Sequence, residues 1–369
     1  MGPPCFFGRG CRADQGRPGE FQAIVTEKEA SEQTAAAAAR QRRPALFIYT
    51  NSYDLSADVI VRRLGNDAVF RFNLDLWHEY VIDIDRRQVV IANASGRAVD
   101  SQDIAKFLWR KPLTNQQLFP DRDMPRERAF QEEELAYAMR EVWNAMYLSG
   151  RAVLIDPVSD SIAGKLIQAQ IASGHFQVPD WAMVCGASPR LQADLPPQVA
   201  KSLTSLRTGD RSVLYTTRVN AKQLSPASPW LLQAQVAADH DVTVVVVRDA
   251  LFAFALSRAD FPAGTVDWRR ARALTPAQAW VPHALPPAVA AAIRRFMADM
   301  SLHYGRLDFL LAGEDYFFLE VNPNGEWGWL DPSGETGILD ALASELSPDT
   351  PCHPLPNPRR INVADRLNW

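Results

Sequence analysis

The chain has 369 residues, of which 47% are hydrophobic and 22% charged, and its formal net charge is −4. This composition is typical of a soluble globular protein, and the length predicts two or three domains. The mild acidity argues against a nucleic-acid-binding protein because such domains are usually basic, and no apolar run approaches the roughly 18–20 residues that a membrane span needs.

The first 43 residues are predicted to form a disordered extension. They begin with MGPPCFFGRGCRADQGRPGE, which is rich in Gly, Arg and Pro, and continue with a helix-forming composition that has almost no apolar stripe. A signal peptide needs an apolar core of about 7–15 residues, and this segment has none. We expect at most a frayed helix around Glu27–Arg40.

Residues 44–118 are predicted to form a small α/β domain. Short apolar, β-branched and aromatic runs alternate there with turn residues and with one amphipathic stretch. The predicted strands are Ala45–Asn51, Ala68–Phe72, Tyr80–Asp85, Gln88–Asn93 and Phe107–Lys111, and the predicted helix is Ala57–Leu64.

Residues 119–176 read as a linker and a central helical segment. The linker, Phe119–Arg128, is rich in Pro, Asp and Arg, and an apolar stripe at helical spacing follows it. The predicted elements are a helix at Arg128–Ser149, a strand at Ala152–Ile155, and a helix at Ser161–Ser173 capped by Ser159 or Asp160.

Residues 177–346 are predicted to form a larger α+β domain dominated by antiparallel strands, and the Pro-rich tail 347–369 is expected to lie over its surface. Neither a GxGxxG fingerprint nor a Walker loop occurs, so a nucleotide would have to be held in another way. The predicted elements are strands at Asp180–Val184, Gln198–Leu203, Ser212–Arg218, Trp230–Val236, Asp241–Val247, Ala250–Leu256, Arg306–Leu311 and Tyr316–Asn322, and a helix at Pro286–His303.

The last strand pair carries an acid–amide–acid cluster. Glu320 and Asn322 are two residues apart on one strand, so both side chains point to the same face, while Leu319 and Val321 point to the other. The connection to the preceding strand is short, so a hairpin would bring Asp308 close to them. Oxygen ligands of this kind suit Mg²⁺; a surface hairpin with scattered acids is the alternative.

Three basic residues are candidates to bind phosphate. Lys201 interrupts the apolar strand QVAKSL, where an unpaired buried ammonium would be costly and an anion partner would explain it. The alternative is that Lys201 reaches solvent. Arg269, next to a tryptophan, and Lys165, on a helix, are weaker signals, because such residues are commonly solvated.

The cysteines and histidines indicate no metal or disulfide site. The four cysteines are scattered, at Cys5, Cys11, Cys185 and Cys352, and the six histidines show no ligand spacing. This usage predicts a reducing compartment, hence a cytoplasmic protein.

From about Pro44 to Leu346 the motifs together resemble the ATP-grasp superfamily, and YFFLEVNPNGEWGWLD resembles its ribosomal-peptide maturases, which make microviridins and other graspetides. The segment 44–118 is similar to the pre-ATP-grasp domain, with landmarks in FRFNLD and FLWRKP. The strand with the phosphate-binding lysine is represented by VAKSL, the strand after it by VLYTTRV, the adenine hinge by WLLQAQV, the ribose hairpin by DVTVVVVRDALFAFAL and the arginine loop by VDWRRA.

The resemblance implies a role for each matching position. Lys201, with Lys165 as a second contact, would bind the nucleotide phosphates, and Gln235 and Val236 would offer backbone groups to the adenine. Implied further are Asp241 at the ribose, Arg269 at the transferring phosphoryl group, and Asp308, Glu320 and Asn322 as ligands of Mg²⁺.

Two positions depart from the resemblance. The ribose hairpin usually reads acid–x–Arg, where this chain has Thr243, and the strand before the glutamate often reads Asp–x–Arg, where it has Leu310. Both changes remove a positive charge, which bears on recognition of an acidic peptide and on rate. A compensating charge could come from Arg218, Arg258, Arg270 or Arg306.

Three functions are compatible with these residues. The first is an ATP-dependent ligase that uses ATP and Mg²⁺ to join Asp or Glu side chains of a precursor peptide to Ser, Thr or Lys side chains through an acyl phosphate. The second is an ATP-grasp ligase that adds an amino acid or small amine to a carboxylate. The third is a nucleotide-binding peptide carrier with weak activity. The resemblance also implies a homodimer.

Overall fold

The computed structural model describes residues 46–111, 126–148, 153–192, 196–201, 203, 215–259, 261–270 and 280–351, all within one compact unit. The predictions for residues 1–43, for most of the linker and for most of the C-terminal tail lie outside the described residues, as do Cys5, Cys11 and Cys352. None of the helices in these described ranges combines the length and the apolarity that a membrane span requires.

The first sheet is built around β1 (Leu46–Thr50), which pairs in parallel with β2 (Val69–Asn73) on one side and with β6 (Lys106–Trp109) on the other. Every residue of β1 is buried, because strands of a parallel sheet are covered on both faces. Helix α1 (Leu55–Leu64) begins after Asp54, whose carboxylate accepts a hydrogen bond from the Ala57 N–H. The predicted strands and helix of this segment are present within two residues of their expected bounds.

A second sheet is antiparallel and contains β3 (Tyr80–Ile84), β4 (Val89–Asn93) and β5 (Ala98–Asp100). Strands β3 and β4 form the expected hairpin. Strand β5 was not predicted because it has only three residues.

Three predictions in the central segment are wrong. Helix α2 (Arg126–Leu148) is present, but residues 153–155, the described part of the expected strand at Ala152–Ile155, form no strand, because Leu154 adopts φ 62° and turns the chain out of extended geometry. The single helix expected at Ser161–Ser173 is two helices, α3 (Pro157–Ile162) and α4 (Lys165–Ala172), because Gly164 is extended at ψ 156°. Asp156 caps α3, instead of Ser159 or Asp160.

A third sheet, in the order β7-β10-β8-β9, is antiparallel and small. Its strands are β7 (Trp181–Val184), β8 (Gln198–Lys201), β9 (Thr217–Val219) and β10 (Trp230–Ala234). Four of the expected strands correspond to them, each over fewer residues than predicted. Residue 202 of the expected Gln198–Leu203 strand and residues 212–214 of the expected Ser212–Arg218 strand lie outside the described residues.

The largest sheet and its two covering helices are formed by β11 (His240–Val247), β12 (Ala250–Ser257), β13 (Val281–Pro282), α5 (Pro287–Asp299), β14 (Tyr304–Ala312), β15 (Asp315–Asn322) and α6 (Ile338–Leu346). The sheet is antiparallel, in the order β13-β12-β11-β14-β15. One of its faces packs on α5, and the other is covered partly by α6, which the sequence analysis did not predict. Both faces are buried, which explains the unbroken apolar run in β11.

Candidate active site

A cavity of about 510 Å³ is lined by residues of the third and the largest sheets and by the start of α4. The structure brings every residue to which the resemblance assigns a binding role to this one cavity, although they come from six separate stretches of the chain. These residues are Lys165, Lys201, Gln235, Val236, Asp241, Arg269, Asp308, Glu320 and Asn322.

The predicted acid–amide–acid cluster is formed by the β14–β15 hairpin. Asp308 is the Cα partner of Glu320, and Arg306 is the partner of Asn322. The register shifts by one residue after Asp308, so Leu319 is the extra residue of a β-bulge and lines the cavity. The expectation that Leu319 faces the core is therefore wrong, whereas Val321 does lie in the core.

Glu320 forms an ion pair with Lys165, whose Nζ lies 2.5 Å from Glu320 Oε2. Helix α4 fixes this contact, because one turn further on Gln168 Oε1 accepts a hydrogen bond of 2.9 Å from the Val321 N–H. Burial alone would raise the pKa of Glu320, but the charges of Lys165 and Lys201 outweigh it and hold the pKa at about 2. Glu320 is thus an anion, and Lys165 is not the freely solvated residue of the alternative interpretation.

Lys201 is the last residue of β8 and is partly buried. Burial lowers the pKa of Lys201 to about 8, and the charge of Lys165 lowers it further, while Glu320 opposes both. Two lysines therefore share one carboxylate, and the cavity has positive charge available for an added anion.

Asp308 is held by two neighbours. Its Oδ1 accepts a hydrogen bond of 2.8 Å from Thr243 Oγ1, and its Oδ2 lies 3.0 Å from Arg306 Nη2. Thr243 reaches Asp308 because the two residues are Cα partners in the β11–β14 pair. The threonine found at an expected arginine position therefore binds the carboxylate as a neutral donor.

Asp241 is paired with Arg258, whose Nη1 lies 2.7 Å from Asp241 Oδ2 and whose Nη2 donates to the Val266 carbonyl. Burial raises the pKa of Asp241 to about 7, although the Arg258 charge opposes this shift. The pair fastens the end of β12 to the arginine loop, which we define as Val266–Arg270.

Arg269 extends from the arginine loop and is substantially exposed. Its Nη1 lies 3.5 Å from Asp267 Oδ1, and its guanidinium lies 5.0 Å from the ring centre of Trp268. Asp267, which the sequence analysis did not single out, is buried and also accepts hydrogen bonds from the N–H groups of Arg269 and Thr216. Through these contacts, Asp267 holds the arginine loop in place.

The expected adenine hinge is only partly available. The Gln235 N–H donates to the Pro197 carbonyl at 2.9 Å, so it is already used. Within the described part of the chain, the Gln235 carbonyl and the backbone groups of Val236 make no backbone hydrogen bond and are left to meet a ligand.

Three tryptophans pack against one another as one aromatic surface, the tryptophan wall. The ring centres of Trp268, Trp280 and Trp329 lie 5.3–5.4 Å from one another, and Trp268 and Trp280 line the cavity. Trp327, in contrast, is a core residue. A rigid aromatic surface therefore flanks the charged part of the site.

The charges of the cavity suit a polyanion bound with a divalent ion. Five basic and four acidic side chains line it among the described residues, and no three His, Cys, Asp or Glu side chains come together there or elsewhere in the described part to form a metal site of their own. The basic residues are Lys165, Lys201, Arg258, Arg269 and Arg306, and the acidic ones are Asp241, Asp267, Asp308 and Glu320.

No protein-family model and no curated protein matches the sequence, but solved structures match the fold. Macrocyclase MdnC from Microcystis aeruginosa MRC, bound with precursor peptide MdnA, matches with a TM-score of 0.68 at 20% identity, over 82% of this chain and 98% of that chain. A Chryseobacterium gregarium RiPP-associated ATP-grasp ligase, in complex with ADP and a leader and core peptide, matches with a TM-score of 0.67 at 20% identity, over 84% and 98%. ATP-grasp ligase PsnB, complexed with a phosphomimetic variant of minimal precursor, Mg and ADP, matches with a TM-score of 0.62 at 16% identity, over 82% and 97%.

The chain has the ATP-grasp fold. The fold expected from the motif around Glu320 is thereby confirmed. The ATP-grasp fold covers most of the chain, including both sheets that line the cavity.

Proposed function

We propose that the protein is an ATP-dependent ligase that matures a ribosomally made precursor peptide by forming ester or amide crosslinks between side chains. The observation that carries the proposal is the cluster of charged residues Lys165, Lys201, Glu320 and Asp308 inside one cavity of the ATP-grasp fold, in which Lys165 pairs with Glu320. Solved proteins with this fold include ligases complexed with ADP and peptides.

The nucleotide would lie along the charged wall. Lys201 and Lys165 would neutralise its phosphates, and the backbone of Val236 with the Gln235 carbonyl would meet the adenine. Asp241, held by Arg258, would accept hydrogen bonds from the ribose. Among the described residues, Lys201 shares the charge of Glu320 with Lys165, so the bound phosphates would give it an anion of its own.

A magnesium ion fits the acidic end of the cavity. The Glu320 carboxylate faces Asp308 across two paired strands, Asn322 follows on the same strand, and hard oxygen donors of this kind suit Mg²⁺. When bound, the ion would neutralise phosphate charge and orient the terminal phosphoryl group. The protein's own part is to hold the ligands fixed through strand pairing.

The chemistry requires positioned charge more than a covalent nucleophile. The carboxylate of the substrate attacks the terminal phosphorus of ATP, which yields an acyl phosphate and releases ADP. Arg269, at the mouth of the cavity, would stabilise the transferring phosphoryl group. A hydroxyl or amine of the acceptor side chain then attacks the acyl carbon, loses its proton and expels inorganic phosphate.

A small-molecule ligase is the second candidate. The neutral Thr243 and Leu310 favour it, because they leave two charges fewer for an acidic peptide. A peptide substrate is preferred because the tryptophan wall offers an extended aromatic surface and because the three matching structures contain a precursor peptide, a leader and core peptide, or a precursor variant. We propose in addition that the protein is a cytoplasmic homodimer and that its segments are bounded at residues 43, 118, 176 and 346.

The decisive experiment combines nucleotide turnover with peptide mass. The purified protein is incubated with ATP, Mg²⁺ and the small peptide encoded beside its gene, and ADP is followed by a coupled assay. We expect loss of one water per crosslink, with matching ADP, and neither signal in the Glu320→Gln variant. ADP formation with a free amino acid or amine and an unchanged peptide would favour the second candidate instead.

A further inference from the structure

Gln233 is a buried residue of the cavity, and its side-chain amide is unpaired in the described part of the protein. It lies on β10, lines the cavity and is 7% exposed. Among the described residues, neither the carbonyl nor the amino group of this amide has a hydrogen-bond partner. Gln168 also lines the cavity, but its amide bonds to both the Val321 N–H and the Ala163 carbonyl. Buried polar groups are normally paired, so the free amide of Gln233 is evidence for a ligand.

Strand register places Gln233 between the two ends of the proposed nucleotide site. Gln233 is the Cα partner of Val199, and Leu231 is the partner of Lys201. Partners in an antiparallel pair share one face of the sheet, so Gln233 points to the same side as Lys201 and lies diagonally next to it. The hinge residue Gln235 follows two positions later. The amide therefore lies between the phosphate-binding end and the hinge, which is where the base of a nucleotide would lie.

An amide that faces a bound ligand needs both an acceptor and a donor from that ligand. A ligand that fills the cavity displaces solvent from the amide, and affinity is lost unless the ligand replaces the displaced hydrogen bonds. Ionised phosphate oxygens are acceptors only, so they would satisfy the amino group and leave the carbonyl unpaired. The Hoogsteen edge of adenine presents the acceptor N7 beside the donor N6, and a glutamine amide pairs with both at once. Guanine presents two acceptors there, N7 and O6.

We propose that Gln233 binds the Hoogsteen edge of adenine, with Nε2 donating to N7 and Oε1 accepting from the N6 amino group. The amino group has two hydrogens, so the second is available to the Gln235 carbonyl at the hinge, while the Val236 N–H donates to N1. Adenine is then recognised on two edges, one by a side chain and one by backbone groups. Only backbone contacts to adenine were expected from the sequence, so Gln233 is a further specificity-determining residue. This inference rests on the proposed nucleotide site.

The test compares ADP with 7-deaza-ADP, which has a C–H group in place of N7, by isothermal titration calorimetry of the full chain with Mg²⁺. The unmodified protein should bind 7-deaza-ADP about two- to tenfold more weakly, the usual effect of one hydrogen bond. Gln233→Met has a side chain of similar length without the amide, so it should bind ADP more weakly and the two nucleotides equally. The control is Gln170→Met, which alters a glutamine of α4 whose buried Oε1 has no partner and should keep the preference for ADP.

Equal binding of the two nucleotides by the unmodified protein would overturn the inference, and so would a preference for ADP that persists in Gln233→Met. Circular dichroism establishes that each variant is folded, and Gln233→Ala takes the place of Gln233→Met if the latter is not. Binding of ADP without the preference would leave the proposed function standing and overturn the inference alone. No binding of either nucleotide would overturn both.

Discussion

Lys201 and Glu320 lie in one cavity, and burial disfavours the charged form of both. Glu320 overcomes this because two ammonium groups act on it together. Lys201 does not, because it shares Glu320 with Lys165 and is repelled by that second lysine. At the scale of single residues, the two lysines therefore have one carboxylate between them, and the charged form of Lys201 is the one that is destabilised.

Proton uptake on nucleotide binding is the first prediction. Burial lowers the pKa of Lys201 to about 8, so above this pH the Lys201 ammonium of the free protein loses its proton. A bound phosphate favours the charged form, so the protein takes up a proton when the nucleotide binds. Affinity for ADP should fall by up to about tenfold per pH unit above pH 8, since one pKa unit corresponds to 1.36 kcal/mol. Calorimetry at pH 8.5 in two buffers of different ionisation enthalpy measures the uptake.

The control is Lys201→Arg, which stays charged throughout this range and should show weaker pH dependence. Equal proton uptake by the variant and the unmodified protein would assign the titration to another group.

A second residue-scale prediction concerns Gly325. Its missing side chain lets the loop after β15 contact Arg306, and a Cβ would lie 2.5 Å from Arg306 Cβ and 3.1 Å from the Asn322 carbonyl oxygen. Gly325→Ala should cost about 1–3 kcal/mol of the free energy of unfolding, the usual range for overpacking. Urea denaturation measures it. Gly328→Ala is the matched control, because its nearest atom is 3.6 Å away, and a cost as large there would contradict the explanation.

At the scale of elements, the site depends on how α4 meets β15. Gln168 bridges them, since its Oε1 accepts from the Val321 N–H and its Nε2 donates to the Ala163 carbonyl. The hydrogen bond to the Ala163 carbonyl connects α4 to the residue that follows α3. Together the two hydrogen bonds hold the first turn of α4 in the position from which Lys165 forms its ion pair with Glu320.

Gln168→Ala should therefore affect both stability and binding. It leaves the buried Val321 N–H without its partner, which costs about 1–3 kcal/mol, and it lowers ADP affinity because Lys165 loses its support. Urea denaturation and ADP titration test the two effects. Gln170→Ala, on the same helix, removes a buried Oε1 that has no partner and should change both quantities little. Unchanged ADP affinity in Gln168→Ala would refute the positioning role.

The pairing of Asp308 with Glu320 was predictable, because a short connection between two alternating strands leaves few registers. The bulge at Leu319 was not, since one extra residue leaves no mark in the apolar pattern. The contact of Lys165 with Glu320 joins residues 155 positions apart and depends on the helix break at Gly164. Four arginines were candidates to replace the positive charges absent at Thr243 and Leu310. Only the folded structure shows that Arg306 pairs with Asp308 and Arg258 with Asp241.

At the scale of the whole molecule, Arg110 connects the first sheet to the loop that carries the end of the site. It is 2% exposed, pairs with the buried Asp54 through Nε at 3.1 Å, and donates to the Gly325 carbonyl. Lys111 and Ser56 add contacts to Glu326 in the same loop. The first sheet and the β14–β15 hairpin are thus linked by a buried polar network.

Arg110→Met should destabilise the whole described unit by about 3–5 kcal/mol, because the buried Asp54 carboxylate loses the guanidinium with which it pairs. Urea unfolding followed by circular dichroism measures it. Arg63→Met removes an exposed pair with Asp340, between α1 and α6, and should cost less than about 1 kcal/mol. Equal effects of the two substitutions would contradict the network as a major stabilising link.

The three tryptophans beside the cavity belong to segments far apart in the chain: the arginine loop, the approach to β13 and the loop after β15. Indole rings 5.3–5.4 Å apart are electronically coupled, so their circular dichroism bands split in a way that depends on their mutual angles. A movement of Arg269 toward a bound phosphate would turn Trp268 against the other two rings. The protein therefore contains its own optical reporter, which would register any such reorientation of Trp268 without a label.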